Sequence, residues 1–337
     1  MKFKLKSFMK CLLISFGVLI AVMIIFIALF ISITFEDEKT KNTSYHPFKS
    51  EKIKAKYISL YEKNSQKWPA DSISKFVDTS YGKTFVRITG PDNGFPLVLL
   101  HGGGGSSLDW LPYIEALSGV YRTYAIDGIY GNGKSVYTKT VRNSDDYVQW
   151  LNELFTALGI NRNINLMGLS YGGWIAGQYL VHHPEGLKKV VLIAPAATVL
   201  PISPQWLGRM MVGLFPFRAC KKYFFRGVFG EQDLSKISEA EQEKFVDDAM
   251  FAAEACKPIP TAMPTMIQDN ELRAITIPTL IIIGEYENMY SAQKAVQRIG
   301  QVAPHVNTTI IPGTGHLLAV IKKDVINAIV LDFLKKP

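Results

Sequence analysis

Cysteine is scarce in this sequence: only Cys11, Cys220 and Cys256 occur among 337 residues. Three thiols exclude the disulfide framework of a small secreted scaffold. Cys220 and Cys256 leave open either one bridge or two free buried thiols. Metal-binding spacings such as H-E-x-x-H are missing too, so no metal is implied, and nothing calls for an organic cofactor. The one long glycine run, Gly102 to Gly105, is not followed directly by G-K-[ST], which removes that run from the P-loops. No basic stripe with interleaved aromatics exists, so the net charge of +8 does not point to nucleic acid. Internal repeats and low-complexity segments are absent. Charged residues are few, at 20%, and hydrophobic ones make up 48%, which excludes a disordered chain and predicts a packed core. Nothing specifies an oligomeric state.

Part of that hydrophobicity is concentrated. Cys11 to Phe35 carries no formal charge over 25 residues, enough to cross a hydrocarbon core of about 30 Å as a helix. Lys2, Lys4, Lys6 and Lys10 precede it, while Glu36, Asp37 and Glu38 follow with Lys39 and Lys41. The positive-inside rule predicts a cytoplasmic basic tail (1–10), a transmembrane anchor (11–35) and export of the rest. The run exceeds the roughly 7 to 15 apolar residues of a signal peptide, and no small-x-small site closes it, so an uncleaved anchor is expected. The expected localisation is the cell membrane, single-pass, with membrane lipid as a partner and a mildly cationic surface near anionic head groups.

A juxtamembrane segment (36–69) holds Ile53, Tyr57, Leu60 and Tyr61 at spacings of three and four, the signature of an amphipathic helix. Beyond it, SKFVDTS and KTFVRITG alternate around Tyr81 and Gly82 as a hairpin, and FPLVLLHG is a continuous apolar run typical of a buried parallel strand. Helix and strand patterns then take turns. A helix is expected over SLDWLPYIEALSG, another from a Ser144 cap through Leu158, and a third from about Tyr171 to His183; strands are expected at YRTYAID, INLMGLS, KVVLIAPA, PTLIIIGE and NTTIIPG. A closing helix places Ile321, Val325, Ile329 and Phe333 on one side. The alternation predicts an open, mostly parallel central sheet flanked by helices, over 70–197 and 278–337. Residues 198–277 break the rhythm and predict a helical subdomain inserted between two strands.

The chemistry concentrates around Gly168-Leu169-Ser170-Tyr171-Gly172. A strand that turns into a helix within one residue strains the serine backbone and leaves no room for side chains two positions either side, which the glycines at 168 and 172 satisfy. An activated serine also needs a base and donors for a developing oxyanion. The strand ending at His101 opens into four glycines, which let backbone amides approach a ligand. The amide of Tyr171, at a helix N-terminus, is the natural second donor. Among six histidines, His316 stands in place as base, after a strand end and two loop glycines. The acid must lie between serine and histidine in the chain, at a strand's C-terminal end: Glu287 is the choice and Glu285 its rival.

Taken together, GLSYGG, HGGGG, GEYE and GTGH stand in the order found in the α/β-hydrolases, and residues 70–337 resemble that family. More narrowly, KWPADSISKFVDTSYGKTFVRITGP, LLHGGGGSSLDW and GEYENMY resemble bacillary carboxylesterases related to the naproxen-ester hydrolase. The resemblance implies a Ser-His-Glu triad with the acid three residues after Gly284, which supports Glu287. It also implies a structural role for Asp127 in YAIDGIYGNGKS and a helical cap at 198–277, whose Trp206, Met210, Met211, Phe215, Phe217 and Phe224 line either a substrate pocket or the cap's own core. The expected function is a membrane-anchored serine carboxylesterase acting on a small-molecule ester, with Ser170, Glu287 and His316 catalytic and the amides of Gly103 and Tyr171 as oxyanion hole. An amidase or peptidase, an acyltransferase, a cofactor-free haloperoxidase, or a non-catalytic binding protein on the same fold are the rivals.

Overall fold

Among the described residues the alternating pattern forms one nine-stranded sheet. The structure, a computed structural model, describes residues 48–215, 217–256 and 261–336. The predicted basic tail, the predicted membrane span at 11–35 and the juxtamembrane residues through 47 lie outside the described residues. Among the described residues no helix is long and apolar enough to cross a membrane.

Helix α1 (Glu51–Ser65) is capped by the Ser50 side chain and leads to the hairpin β1 (Ile73–Thr79) and β2 (Gly82–Thr89). Strand β3 (Pro96–Leu100), helix α2 (Leu111–Ser118), strand β4 (Arg122–Asp127) and the short β5 (Val136–Tyr137) follow. Then come α3 (Ser144–Leu158), β6 (Ile164–Leu169), α4 (Tyr171–His182) and β7 (Leu187–Ile193). Between β7 and the next strand run α5 (Pro204–Gly213), α6 (Arg218–Phe229), α7 (Glu231–Leu234), α8 (Glu239–Ala255) and α9 (Asp269–Ala274). The chain ends with β8 (Thr279–Gly284), α10 (Ala292–Val302), β9 (Asn307–Ile311), α11 (Leu318–Ile321) and α12 (Lys323–Lys335).

The strand order is β1-β2-β4-β3-β6-β7-β8-β9, with β5 on β2. Only the pairs involving β2 are antiparallel; from β4 to β9 the sheet is parallel. Continuous apolar runs form its centre because both faces are covered. Leu97, Leu99, Met167, Val191 and Ile193 pack with α2 and α12, while Val98, Leu100, Leu166, Val190 and Leu192 pack with α3, α4 and α10. The chain leaves β3 for β4 on one side and later returns to β6 on the other, so strand order reverses at β3. The crevice beyond the carboxyl ends of β3 and β6 is where such sheets bind ligands.

Two local expectations are corrected, and one alternative left open is settled. Asn143, not Ser144, caps α3, its side chain accepting from the Asp146 amide at 3.1 Å. The closing helix breaks at Lys322, where φ is −121°, and this resets its phase. Its buried face is therefore Ile326, Val330 and Leu334, and Val325 is exposed. Cys220 and Cys256 are both free thiols, and burial pushes that of Cys256 up to about 11.

Helix α1 packs on the main domain. Ile53, Tyr57 and Ile58 cover Phe48, Ala255 and Cys256, and the buried Tyr61 hydroxyl donates to Asp127 Oδ2 at 2.8 Å. Asp127 also accepts from the amides of Ser107 and Lys134, each at 2.7 Å, which fits the structural role expected for it. Tyr61→Phe removes one donor to this buried carboxylate, so urea unfolding is expected to show a loss of about 1 to 3 kcal/mol. An unchanged midpoint would mean that α1 is not fastened there.

Candidate active site

Strand β6 becomes helix α4 at a single residue, and Ser170 occupies that turn at φ 51° and ψ −112°. A positive φ is uncommon for a side-chain-bearing residue, and here the turn is held by its surroundings. The Ser170 amide donates to the Ile193 carbonyl at 2.8 Å, and its carbonyl accepts from the amides of Trp174 and Ala196, both at 3.0 Å. The flanking glycines are required sterically. A Cβ on Gly168 would stand 2.2 Å from the Gly172 carbonyl oxygen, and one on Gly172 would stand 2.4 Å from the carbonyl oxygens of Leu100 and His101.

The strained turn presents the hydroxyl to His316. Ser170 Oγ lies 3.0 Å from His316 Nε2, and Nδ1 lies 2.8 Å from Glu287 Oε2. A carboxylate accepts only, so the Nδ1 proton is donated to Glu287 and the Nε2 lone pair faces the serine hydroxyl. The other oxygen of Glu287 accepts from the amides of Asn288 at 2.9 Å and Met289 at 3.0 Å, fixing the carboxylate's orientation. Burial alone would lower the imidazole pKa; the charge of Glu287, its hydrogen bond and the charge of Asp233 together outweigh burial and raise it. Glu285 faces elsewhere: its Oε2 accepts from the Gly313 amide at 2.7 Å, bracing the histidine turn from below.

The glycine loop comes from β3 and stands beside the serine. Gly102 faces the Ser170 Cβ, and a Cβ built on Gly103 would lie 3.5 Å from that of Tyr171. His101 is fully buried and supports the loop. Its Nδ1 donates to the Gly102 carbonyl at 2.7 Å, and its Nε2 accepts from the Gly128 amide at 2.8 Å, an arrangement only the neutral ring can make. Burial lowers its pKa accordingly. Asn132 completes the brace by donating to the Gly104 carbonyl at 2.8 Å. The Tyr171 phenol donates to the Ala262 carbonyl at 2.6 Å, and Trp174 Nε1 to Thr265 at 3.1 Å, so the first turn of α4 is tied to the segment returning from the inserted helices.

Gly128 to Ser135 spells the P-loop pattern G-x-x-x-x-G-K-S, but it runs into β5 rather than a helix; Lys134 pairs with Glu62 and the Ser135 hydroxyl donates to the Asp127 carbonyl. Asp233, which reaches across to the histidine turn, carried no sequence signal and sits in a polar stretch that looks like ordinary solvent-facing sequence, while Asn288, inside GEYENMY, reaches across to α6. Of the aromatic and methionine side chains predicted for a pocket or subdomain core, Trp206 and Phe224 pack edge to face at 5.9 Å, while Phe217 is exposed. The core of the inserted helices is built from Phe229, Leu234, Val246 and Met250 instead.

A family model for the α/β hydrolase fold matches residues 96–322. The chain belongs to the α/β-hydrolase fold family. It is 31% identical over 282 residues to carboxylesterase YbfK of Bacillus subtilis, covering 83% of this chain and 93% of that one. It is 30% identical to the carboxylesterase nap of the same organism, over 82% of this chain and 92% of that one. The crystal structure of B. subtilis naproxen esterase superposes with a TM-score of 0.75 at 28% identity, over 85% of this chain and 100% of that one. The expected kinship with bacillary carboxylesterases is borne out, and with it an enzyme of the carboxylesterase-like serine hydrolase class. The expected cell-membrane localisation is overturned. No described helix is long and apolar enough to span a bilayer: α4, apolar over most of its length, has 12 residues, about 18 Å at 1.5 Å per residue.

Gly172→Ala forces a Cβ onto two carbonyl oxygens of the β3 end, so it is expected to cost at least about 3 kcal/mol in thermal unfolding and to abolish ester hydrolysis. A stable, active variant would show that the turn tolerates a side chain.

Proposed function

We propose that the protein is a serine carboxylesterase using Ser170 as nucleophile, His316 as general base and acid, and Glu287 as the group that orients and charges-balances the imidazole. The observation that carries the reading is the continuous hydrogen-bonded line from Ser170 Oγ through His316 to Glu287, at 3.0 and 2.8 Å. As Ser170 attacks an ester carbonyl, its proton passes to His316 Nε2 and the amides of Gly103 and Tyr171 receive the oxyanion. Collapse breaks the ester C–O bond, and His316 returns the proton to the leaving alcohol. Water, deprotonated by the same Nε2, then attacks the acyl-enzyme; the second tetrahedral intermediate releases the carboxylic acid and restores Ser170. Residues 198–277 act as a cap over this crevice, a role supported by their ties to Tyr171 and Trp174. The substrate is a small-molecule ester.

A fluorophosphonate probe should label the purified protein and fail to label Ser170→Ala; equal labelling of both would end the proposal. Turnover of p-nitrophenyl esters set against matching anilides checks ester over amide preference, and faster anilide cleavage would favour the amidase rival. Glu287→Gln is expected to lower kcat by about 10³-fold or more. Glu285→Gln, losing only a loop contact, should stay within about tenfold. The reverse ranking would transfer the acid role to Glu285.

The His316 pKa also sets a pH limit. Because it is raised above the ordinary 6.5, the ring stays protonated, and unable to accept the serine proton, to a higher pH than a free imidazole. The acid limb of kcat/KM should therefore fall above about pH 6.5. A limb centred below that value would contradict the net effect of the two carboxylates.

A further inference from the structure

Asp233 is a buried carboxylate for which the triad has no use. It belongs to α7, in the inserted helices, with 0% exposure, yet it turns to the histidine turn of the main domain. Its Oδ1 accepts from the Thr314 hydroxyl at 2.7 Å. The Gly315 amide reaches both oxygens at 2.9 Å, and the Leu317 amide donates to Oδ2 at 3.0 Å. The donors therefore bracket His316 on both sides. A side chain at Gly315 would not fit, since a Cβ there would stand 2.8 Å from the Tyr286 carbonyl oxygen and 3.3 Å from Asp233 Oδ2.

Burying a carboxylate is costly unless its oxygens are satisfied, and burying these donors is costly without an acceptor. The turn around His316 thus has its low-energy shape while Asp233 is in place. We propose that Asp233 is the positioning residue of the histidine turn, delivered by the cap, so that His316 faces Ser170 only when the cap is seated. This rests on the reading of His316 as the base.

Two further contacts join the same parts. Leu317, next to His316, packs on the core formed by Phe229, Leu234, Val246 and Met250. Asn288, next to Glu287, donates through its amide to the carbonyls of Gly227 and Val228 at the end of α6. Both turns that carry the acid and the base are fastened to one stretch, residues 227–234. Electrostatically, His316 faces Glu287 from the turn after β8 and Asp233 from the cap. Glu285 sits on the Gly313 amide, Lys236 Nζ lies near Gly313, and the Tyr290 phenol lies beside Glu287. The Asp233 charge adds to that of Glu287 in favouring the imidazolium.

Asp233→Asn keeps the shape, removes the charge and sets an NH2 group against the amides of the turn. With p-nitrophenyl acetate and the full chain, kcat is expected to fall about tenfold or more at little change in KM, and the acid limb of kcat/KM to move to lower pH. Val246→Ala loosens the cap core without touching these hydrogen bonds; it should lower Tm and leave the acid limb where the wild type has it. Wild-type kcat and acid limb in Asp233→Asn would overturn the proposal. Should Asp233→Asn not fold, Thr314→Val removes one donor and retains the carboxylate. A kcat reduced about threefold with the limb unmoved then supports the proposal, and an unchanged kcat overturns it. His316→Ala as active as the wild type would remove the underlying base assignment, whatever Asp233→Asn does.

Discussion

Everything at this site depends on a chain reversal completed within one residue. At Ser170 the backbone leaves β6 and enters α4 at a positive φ, and the approach is so close that Gly168, Gly172 and the carbonyls ending β3 touch. A residue in that conformation costs of order 1 to 3 kcal/mol and persists only when its neighbours over-determine it. Here the Ile193 carbonyl and the amides of Trp174 and Ala196 do so. The same strain that exposes the hydroxyl also fixes its direction, so the serine has little freedom to lose on meeting a substrate.

The sheet supplies the partners. Because strand order reverses at β3, the loops after β3 and β6 diverge and leave a crevice, and the turns after β8 and β9 converge on its rim. One loop brings the glycine amides, one Ser170, one Glu287 and one His316. Each is rigidified by buried polar contacts of its own: His101 under the glycine loop, the Asn288 and Met289 amides on Glu287, and Glu285 and Asp233 on the histidine turn. Two carboxylates near one imidazole counter its desolvation, which is why a buried His316 is nevertheless easier to protonate than a free one.

Much of this was legible in the sequence, for identifiable reasons. Central strands of a parallel sheet are apolar throughout, so β3, β6, β7 and β8 announced themselves, and the glycine spacing around Ser170 reported a steric need that the contacts bear out. The proximity of His316 to Ser170 followed from loop positions at strand ends. Contacts between distant segments were not legible. Nothing local distinguishes Asp233 from a solvent-facing helical acid, because its partners lie some eighty residues on, in the histidine turn. The phase of the last helix differs for a similar reason: after the break at Lys322 it is Ile326, Val330 and Leu334 that pack on the sheet, and periodicity carries no trace of the break. The apolar segment at 11–35 falls outside the described residues.

Helix α1 bears on where such a domain begins. The family match opens at residue 96 and closes at 322, yet the hydroxyls of Tyr57 and Tyr61 are spent on Asn132 and Asp127, which shape and brace the glycine loop. At the other end, Ile326, Val330 and Leu334 cover one face of the sheet, and Lys189 on β7 donates to the carbonyls of Phe333 and Leu334 that close the last helix. A border drawn by sequence similarity therefore passes through buried hydrogen bonds on both sides. Any exchange of modules among relatives would have to carry residues 51–95 and 323–336 along with the loops that hold Ser170, Glu287 and His316.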